Sequence, residues 1–301
     1  MDLLSDVLSL VRPKSYGAGV LTGGGRWAFD FAAHAGIKCY VVVKGECLVV
    51  VDGVKKPVRL VAGDCLMLPH GRAFRLCSHL RARPVDARKL LSGSPYNGIR
   101  AFAPGDDFCL LGGHFALEGD ARVLLKVLPP YVHLRKEANR VSLRGPVERI
   151  IEEMQSPKPG GFLVAQQSAY TMLVLALRGY LAAGHRRARG WFSALSDKQL
   201  SAAIAWMHEK PAHRWTVETL ARTAGMSRTT FAERFREAVG EAPMVHLTRW
   251  RMTLAGDRLR RSGDSVSVVA EFVGYDSDSA FCAAFKRTMG CSPREYARRT
   301  S

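Results

Sequence analysis

Two stretches of this 301-residue chain set polar and small side chains on one side of a short helical pattern. In SRTTFAERFREAVG, Phe231 and Phe235 are four apart and define an inner face, leaving Arg228, Thr229, Ala232, Glu233 and Arg236 on the opposite side. Fifty positions on, Phe281 and Phe285 repeat the pair, with Asp278, Ser279, Cys282, Ala283 and Lys286 facing outward and Arg287 beside them. Such sets can read the edges of base pairs. Arginine grips guanine at two acceptors, a carboxylate accepts from the amino group of cytosine, and alanine reaches no further than a thymine methyl. Arg228, Thr229, Ala232 and Glu233, with Asp278, Ser279, Cys282 and Ala283, are therefore the candidate base-reading residues. Arg236, Lys286 and Arg287, one turn along, are placed for phosphate, as is Arg228 at a helix start.

Other chemistry is thinner. Metal ligation needs lone pairs converging about 2 Å from one point, hence histidines at strand spacing. His34 stands alone, and the strand after it reads Lys38, Cys39, Tyr40 with no HxH. No Ser-His-Asp or Cys-His arrangement stands out. Gly23-Gly24-Gly25 lacks the Lys-Ser/Thr that follows a phosphate loop. Catalytic residues, metal and cofactor are expected to be absent. The seven cysteines, at 39, 47, 65, 77, 109, 282 and 291, form an odd set without CxxC or zinc-ligand spacing. A thiol sensor among the first five is one reading. Free cysteine more often behaves as a small buried hydrophobe, so most are expected to be packing residues.

The elements that must position the outward sets are legible. Thr216 is a helix N-cap, Glu218 puts a carboxylate in the first turn, and Leu220, Ala221 and Ala224 supply an inner face. Gly225 can end that helix in the left-handed conformation, and Ser227 caps the next. Ala where helices cross, Gly at the turn and Phe at the seam is helix-turn-helix spacing. Residues 265 to 285 repeat the plan with Ala270, Gly274, the caps Asp276 and Ser277, and the second Phe pair. Between them APMVHLTRWRMTLAGDRLRRSG reads as one long helix opening at Pro243 and stopping near Gly263.

One long helix separating two such units resembles the AraC/XylS family of bacterial transcription regulators. The resemblance covers roughly residues 197 to 298 and rests on LARTAGMSRTTFAERFREAVG, LTRWRM, VAEFVGYDSDSAF and GCSPREYAR. It implies a sequence-specific regulator whose partner is double-stranded DNA, with RNA polymerase a further candidate partner. Two departures stand out. CAAF replaces the SRAF common in relatives, so the long arginine often found at position 283 is missing, and Glu233 stands where relatives carry neutral or basic residues.

Residues 2 to 11 have helical spacing and predict a short surface helix. From Trp27 onward, short β-branched and aromatic runs are punctuated by Gly45, Asp52-Gly53, Gly63-Asp64 and His70-Gly71. The string VVVKGECLVVVDG…PVRLVAGDCLMLPHGRAFRL resembles a cupin barrel, the sensory domain ahead of the DNA-binding unit in many AraC-type regulators. In such barrels paired histidines hold metal. Here Phe74 stands where a further histidine would be expected, which argues against the alternative of a cupin-type metal-dependent enzyme. Trp27, Cys39, Tyr40, His70 and Phe74 are the candidate lining of a pocket for an unknown small-molecule effector.

The expected fold class is α+β multidomain. Residues 1–120 form a cupin-like sensor barrel and 121–183 a helical connector that either makes a dimer interface, as in relatives, giving a homodimer, or packs onto the chain's own barrel. Residues 184–196, with the basic GHRRARG, form a linker, and 197–301 an all-α DNA-binding domain with two helix-turn-helix units. In the connector, Leu163, Gln166, Tyr170, Leu173, Leu177 and Tyr180 form a stripe expected to be its packing face.

The formal charge of +17 favours a polyanionic partner, yet 197–301 carries 17 Lys and Arg against 12 Asp and Glu, so charge does not locate the surface. The start MDLLSDVLSLV is acidic where a secretion signal would be basic, and no apolar run reaches a membrane span. A cytoplasmic protein with reduced thiols and no membrane partner is expected.

Overall fold

The computed structural model describes residues 3–91, 98–117, 128–183, 194 and 197–298. GHRRARG and nearly all of the expected linker lie outside the described residues, as does the stretch 121–127 of the expected connector. The described residues divide into two compact units. One joins Pro13–Leu117 with Leu128–Ala183, and the other joins the first helix, α1 (Leu3–Val11), with the helices between residues 197 and 298.

The first unit is built on two sheets. β1 (Pro13–Gly23), β3 (Ile37–Lys44), β6 (Cys65–Leu68), β9 (Gly98–Ala101), β10 (Phe108–Leu117) and β11 (Val132–Leu134) make a six-stranded sheet ordered β11-β6-β3-β10-β1-β9. β2 (Ala28–Phe31), β4 (Glu46–Val51), β5 (Val58–Val61), β7 (Phe74–Cys77) and β8 (Val85–Asp86) make the other, ordered β5-β4-β7-β2-β8. The expected closed barrel is corrected here: among the described residues no ladder joins the sheets. Their outer strands are short, four residues in β9 and β5, three in β11 and two in β8, so there is little edge on which closure could propagate. Side chains hold the sheets together instead. Val49 and Val51 of β4, Leu76 of β7, Tyr40 and Val42 of β3 and Leu110 of β10 share one buried cluster.

Strand β4 alternates as the period of two requires, with Cys47, Val49 and Val51 inward. Strand β3 does not, because Cys39 and Val41 are buried as well as Tyr40 and Val42. On the sheet that contains it, helix α3 (Glu137–Gln155) packs against β9 and α4 (Gly161–Ala182) against β1 and β11. A strand covered on both sides reads as the continuous apolar run CYVVV. The face α4 buries is Ala165, Ala169, Met172, Leu173, Ala176, Leu177 and Tyr180. The expected stripe was rotated: Leu163 is 60% exposed, because small alanines, not the large side chains, allow the helix close to the sheet. Between β8 and β9 lies the short helix α2 (Ala87–Leu91).

In the second unit, helices α5 (Lys198–Glu209), α6 (Val217–Thr223), α7 (Arg228–Val239), α8 (Pro243–Arg261), α9 (Val266–Phe272), α10 (Asp278–Met289) and α11 (Pro293–Arg298) follow one another. Helix α1 is no isolated surface helix. Leu4, Val7 and Leu8 are buried against α5 and α8, and Arg12 beyond it pairs with Asp257 at 3.4 Å. Among the described residues no helix is long and apolar enough to cross a membrane.

Candidate nucleic-acid interface and sensor pocket

Helices α6 and α7 form a pair whose ends are written in their caps. The Thr216 hydroxyl accepts from Thr219 N–H while Thr219 reaches back to Thr216 N–H, and the Ser227 hydroxyl accepts from Thr230 N–H at 3.2 Å. Gly225 sits at φ +64°, where a side chain would be strained. Phe231 and Phe235 are fully buried, their rings 5.6 Å apart. Helices α9 and α10 repeat this arrangement: Ser265 and Ser277 cap, Gly274 sits at φ +81°, and Phe281 and Phe285 are fully buried at the same 5.6 Å. Asp276, expected as a second cap, instead pairs with Arg214 at 2.9 Å. One hydroxyl already satisfies the helix start.

Burying both Phe pairs turns the opposite faces outward. Arg228, Thr229, Glu233 and Arg236 are exposed on α7, with Ala232 half-buried. Asp278, Ser279, Ala283, Lys286 and Arg287 are exposed on α10, with Cys282 half-buried. Arg236, Lys286 and Arg287 form no ion pair with a carboxylate among the described residues. Arg228 pairs with Glu218 at 2.7 Å, so Glu233 does not neutralise it, and Glu233 itself meets no cation among the described residues. Asp278 accepts from the Ser267 hydroxyl, which ties α10 to α9 and occupies the carboxylate that would otherwise face an anion.

The pairs are fixed by residues that sequence reasoning did not single out. Arg234 pairs with Asp197 at 2.5 Å, fastening α7 to the start of α5. Arg251 of α8 donates to the carbonyls of Pro211 (2.7 Å) and His213 (2.9 Å), holding the 210–215 loop. His208 stacks on Trp250, ring centroids 3.6 Å apart, and its Nε2 lies 3.4 Å from Nε2 of His246. Nδ1 of His246 meets Glu241 at 3.1 Å, and Glu241 also pairs with Arg249. Burial first, and then His246, holds His208 well below the usual histidine range.

That depression has a stability consequence. The unfolded chain takes up a proton near pH 6.5 that the folded chain refuses, so stability present above about 6.5 is lost as pH falls. Between pH 6.5 and 5.5 the wild-type unfolding free energy should fall more steeply than that of His208→Gln, by up to about 1.4 kcal/mol per pH unit. Urea titrations at each pH measure it. Parallel pH profiles would show that His208 is not the group that titrates.

Between the sheets lies a partly open pocket of about 70 Å³. Its wall includes Gly17 and Gly19 of β1, Gly112 and Gly113 of β10, and the ring of Tyr40. Of the five expected lining residues only Tyr40 is there. Trp27 is packed with Phe29, Phe102 and Phe108, at 4.6 Å from the last. Cys39 points to the opposite face of its sheet, its sulfur 3.6 Å from that of Cys65. His70 Nε2 bonds the carbonyl of Leu128 at 2.6 Å, and Phe74 stacks on Phe31 at 4.5 Å. Lys38, Arg100 and His114 line the cavity and were missed. One signal was available for Lys38: it shares the inward register of Tyr40 and Val42, where a charge is unexpected.

Burial pushes Cys47 up to about 12, and Cys65 is raised by its bond to Cys39 and by burial. A thiolate is the reactive form, so neither is primed for oxidation. Among the described residues no group of three His, Cys, Asp or Glu is placed to hold a metal ion.

Comparison with known proteins follows the same division. Residues 2–182 match a family described as Cupin, and 220–299 match one described as a helix-turn-helix domain. An AraC-like transcription regulator of Streptomyces antibioticus is 38% identical over 298 residues, 98% of each chain. A similarly described protein of Streptomyces lividans is 37% identical over 298 residues, again 98% of each chain. The RCS-specific HTH-type transcriptional activator RclR of Escherichia coli strain K12 is 34% identical over 78% of this chain and 80% of its own.

Proposed function

The chain belongs to the AraC-like transcription regulators, with a cupin domain ahead of a helix-turn-helix domain, and on that premise we propose how it reads DNA and what its first unit senses. Helix pairs α6–α7 and α9–α10 act as two helix-turn-helix units, and α7 and α10 enter successive major grooves on one face of double-stranded DNA, about 34 Å apart. Carrying this reading is the repeated arrangement itself: two capped, glycine-turned, Phe-anchored pairs that present exposed faces bearing Arg236, Lys286 and Arg287. Helix α8 joins the units and fixes their separation. The sheet unit supplies the sensor, its signal a small molecule in the pocket; the raised Cys47 and Cys65 thiols favour this over a redox signal. Exposed Val141 on α3 and Phe162, Leu163 and Val164 on α4 offer a second copy of the chain an apolar face.

The two heads read unequally. Glu233 is exposed and free of cations among the described residues, so it can accept from a cytosine amino group. Asp278 is held by Ser267, and Ala283 has no reach. Helix α7 therefore dictates most of the operator sequence while α10 mainly anchors to backbone. Selection of binding sites from random duplexes should show Glu233→Ala relaxed at one base pair, losing about 1–3 kcal/mol of discrimination. Asp278→Ala or Ser279→Ala should leave the selected sequence nearly unchanged. A second half-site specified more sharply than the first would reverse the assignment.

A further inference from the structure

Strand β3 alternates Lys38, Tyr40 and Val42 toward the space between the sheets, and that register puts an ammonium group where the core is otherwise apolar. The Lys38 nitrogen lies 4.8 Å from the ring centroid of Phe31 and 5.2 Å from that of Phe74. Ring faces attract a cation but carry no net charge, so they hold the ammonium without neutralising it. Among the described residues no carboxylate pairs with Lys38, and the cavity wall contains no Asp or Glu. Its other ionisable members, Arg100 and His114, are cationic or neutral.

The surroundings feel that uncompensated charge. Burial brings Lys38 itself down to about 8. His34 is held near 4 by burial first, then by Lys38 and His114, and both its ring nitrogens are buried without a hydrogen-bond partner. His114 is also lowered, by burial before the Lys38 charge. A half-buried lysine without a counter-ion destabilises the chain that carries it. Beside it Gly17 and Gly19 of β1 contribute no side chains, the Tyr40 ring packs on Gly112, where a Cβ would meet it at 2.9 Å, and Val20, Leu21, Phe31 and Leu110 supply apolar wall. The pocket thus has a cationic end without an anion and an apolar remainder.

We propose that this pocket takes a small amphipathic monocarboxylic acid, its carboxylate on the Lys38 ammonium and its apolar part against Val20, Phe31, Leu110 and the backbone of Gly17 and Gly19. The proposal rests on the sensor reading above and adds to it the chemical class of the ligand. A carboxylate supplies the missing counter-ion through a charge-assisted bond, and its tail meets the apolar wall of the pocket. Discrimination against a neutral amide of the same shape follows, because the amide leaves the ammonium unpaired.

Calorimetric titration of the full-length protein with hexanoate, octanoate, benzoate and phenylacetate, each beside its primary amide, tests this. At least one acid is expected to bind about 10- to 100-fold more tightly than its amide. Lys38→Met should abolish that preference and Lys38→Arg should keep it. Without ligand, Lys38→Met should melt higher than wild type, since it removes an unpaired, half-buried charge. Binding by none of the four acids, equal binding of acid and amide, or a preference that survives Lys38→Met would each overturn the proposal. A gel shift with the selected operator separates it from the sensor reading. An acid that binds through Lys38 without changing DNA affinity leaves the anion site standing and removes the sensor. A neutral compound that occupies the cavity and changes DNA affinity does the reverse.

Discussion

Gly274→Ala is expected to lower the unfolding free energy by about 2–5 kcal/mol, whereas Gly290→Ala should cost only about 1–2. Both glycines end a helix in the left-handed region, at φ +81° and +79°, so the conformational penalty of a side chain is the same at each. Their surroundings differ. A Cβ on Gly290 would meet nothing within 4 Å, but one on Gly274 would meet the Ala212 carbonyl oxygen at 2.5 Å and its Cα at 2.6 Å. Those are backbone atoms and cannot rotate aside. Nor can the loop retreat, since Arg251 holds it through the carbonyls of Pro211 and His213 and Arg214 pairs with Asp276 across it. Urea denaturation of both variants beside wild type measures the difference. Because this contact sets the turn between α9 and α10 against the segment preceding α6, Gly274→Ala should also weaken operator binding under conditions where the protein remains folded. Equal costs for the two substitutions would mean that the loop yields and does not fix the second helix pair.

Operator affinity is expected to fall about 150-fold when salt rises from about 50 to 200 mM. The figure follows from counting. Arg228, Arg236, Lys286 and Arg287 are four exposed cations on the faces of α7 and α10, and each phosphate contact contributes a slope of about 0.9 in log affinity against log salt. Arg236→Ala and Lys286→Ala should each lower the slope by about one and weaken all sequences alike, unlike Glu233→Ala, which changes preference. Arg228 is already paired with Glu218, so its substitution is expected to have the smallest effect of the four. Titration of the full-length protein against its selected duplex at several salt concentrations reads these slopes. A salt-independent affinity would remove the phosphate assignments altogether.

The helix pairs were legible in the sequence, because their instructions are local. A hydroxyl at a cap, a glycine at a turn and phenylalanines four apart act within one or two helical turns, and Thr216, Ser227, Gly225, Phe231 and Phe235 each do what their spacing requires. The outward faces followed by subtraction, since burying the Phe pairs leaves Glu233 and Arg236 nowhere else to point. Family membership was legible for the same reason: two such local codes, repeated fifty residues apart around one long helix, are rarely written for another purpose. The sheet unit behaved differently. Periodicity showed that Lys38 shares a face with Tyr40, but which residues stand opposite depended on pairing β10 with both β1 and β3, partners about a hundred and about seventy residues away in the chain. Only that pairing brings Gly19 against Gly112 and His114 beside Lys38, opening a cavity that Trp27 and Cys39 do not reach. The rotated face of α4, the docking of α1 on α5 and α8 and the unjoined edges of the two sheets are of the same kind. Each is settled by side-chain volumes meeting across distant segments, and a one-dimensional pattern records which residues turn inward without recording what they meet.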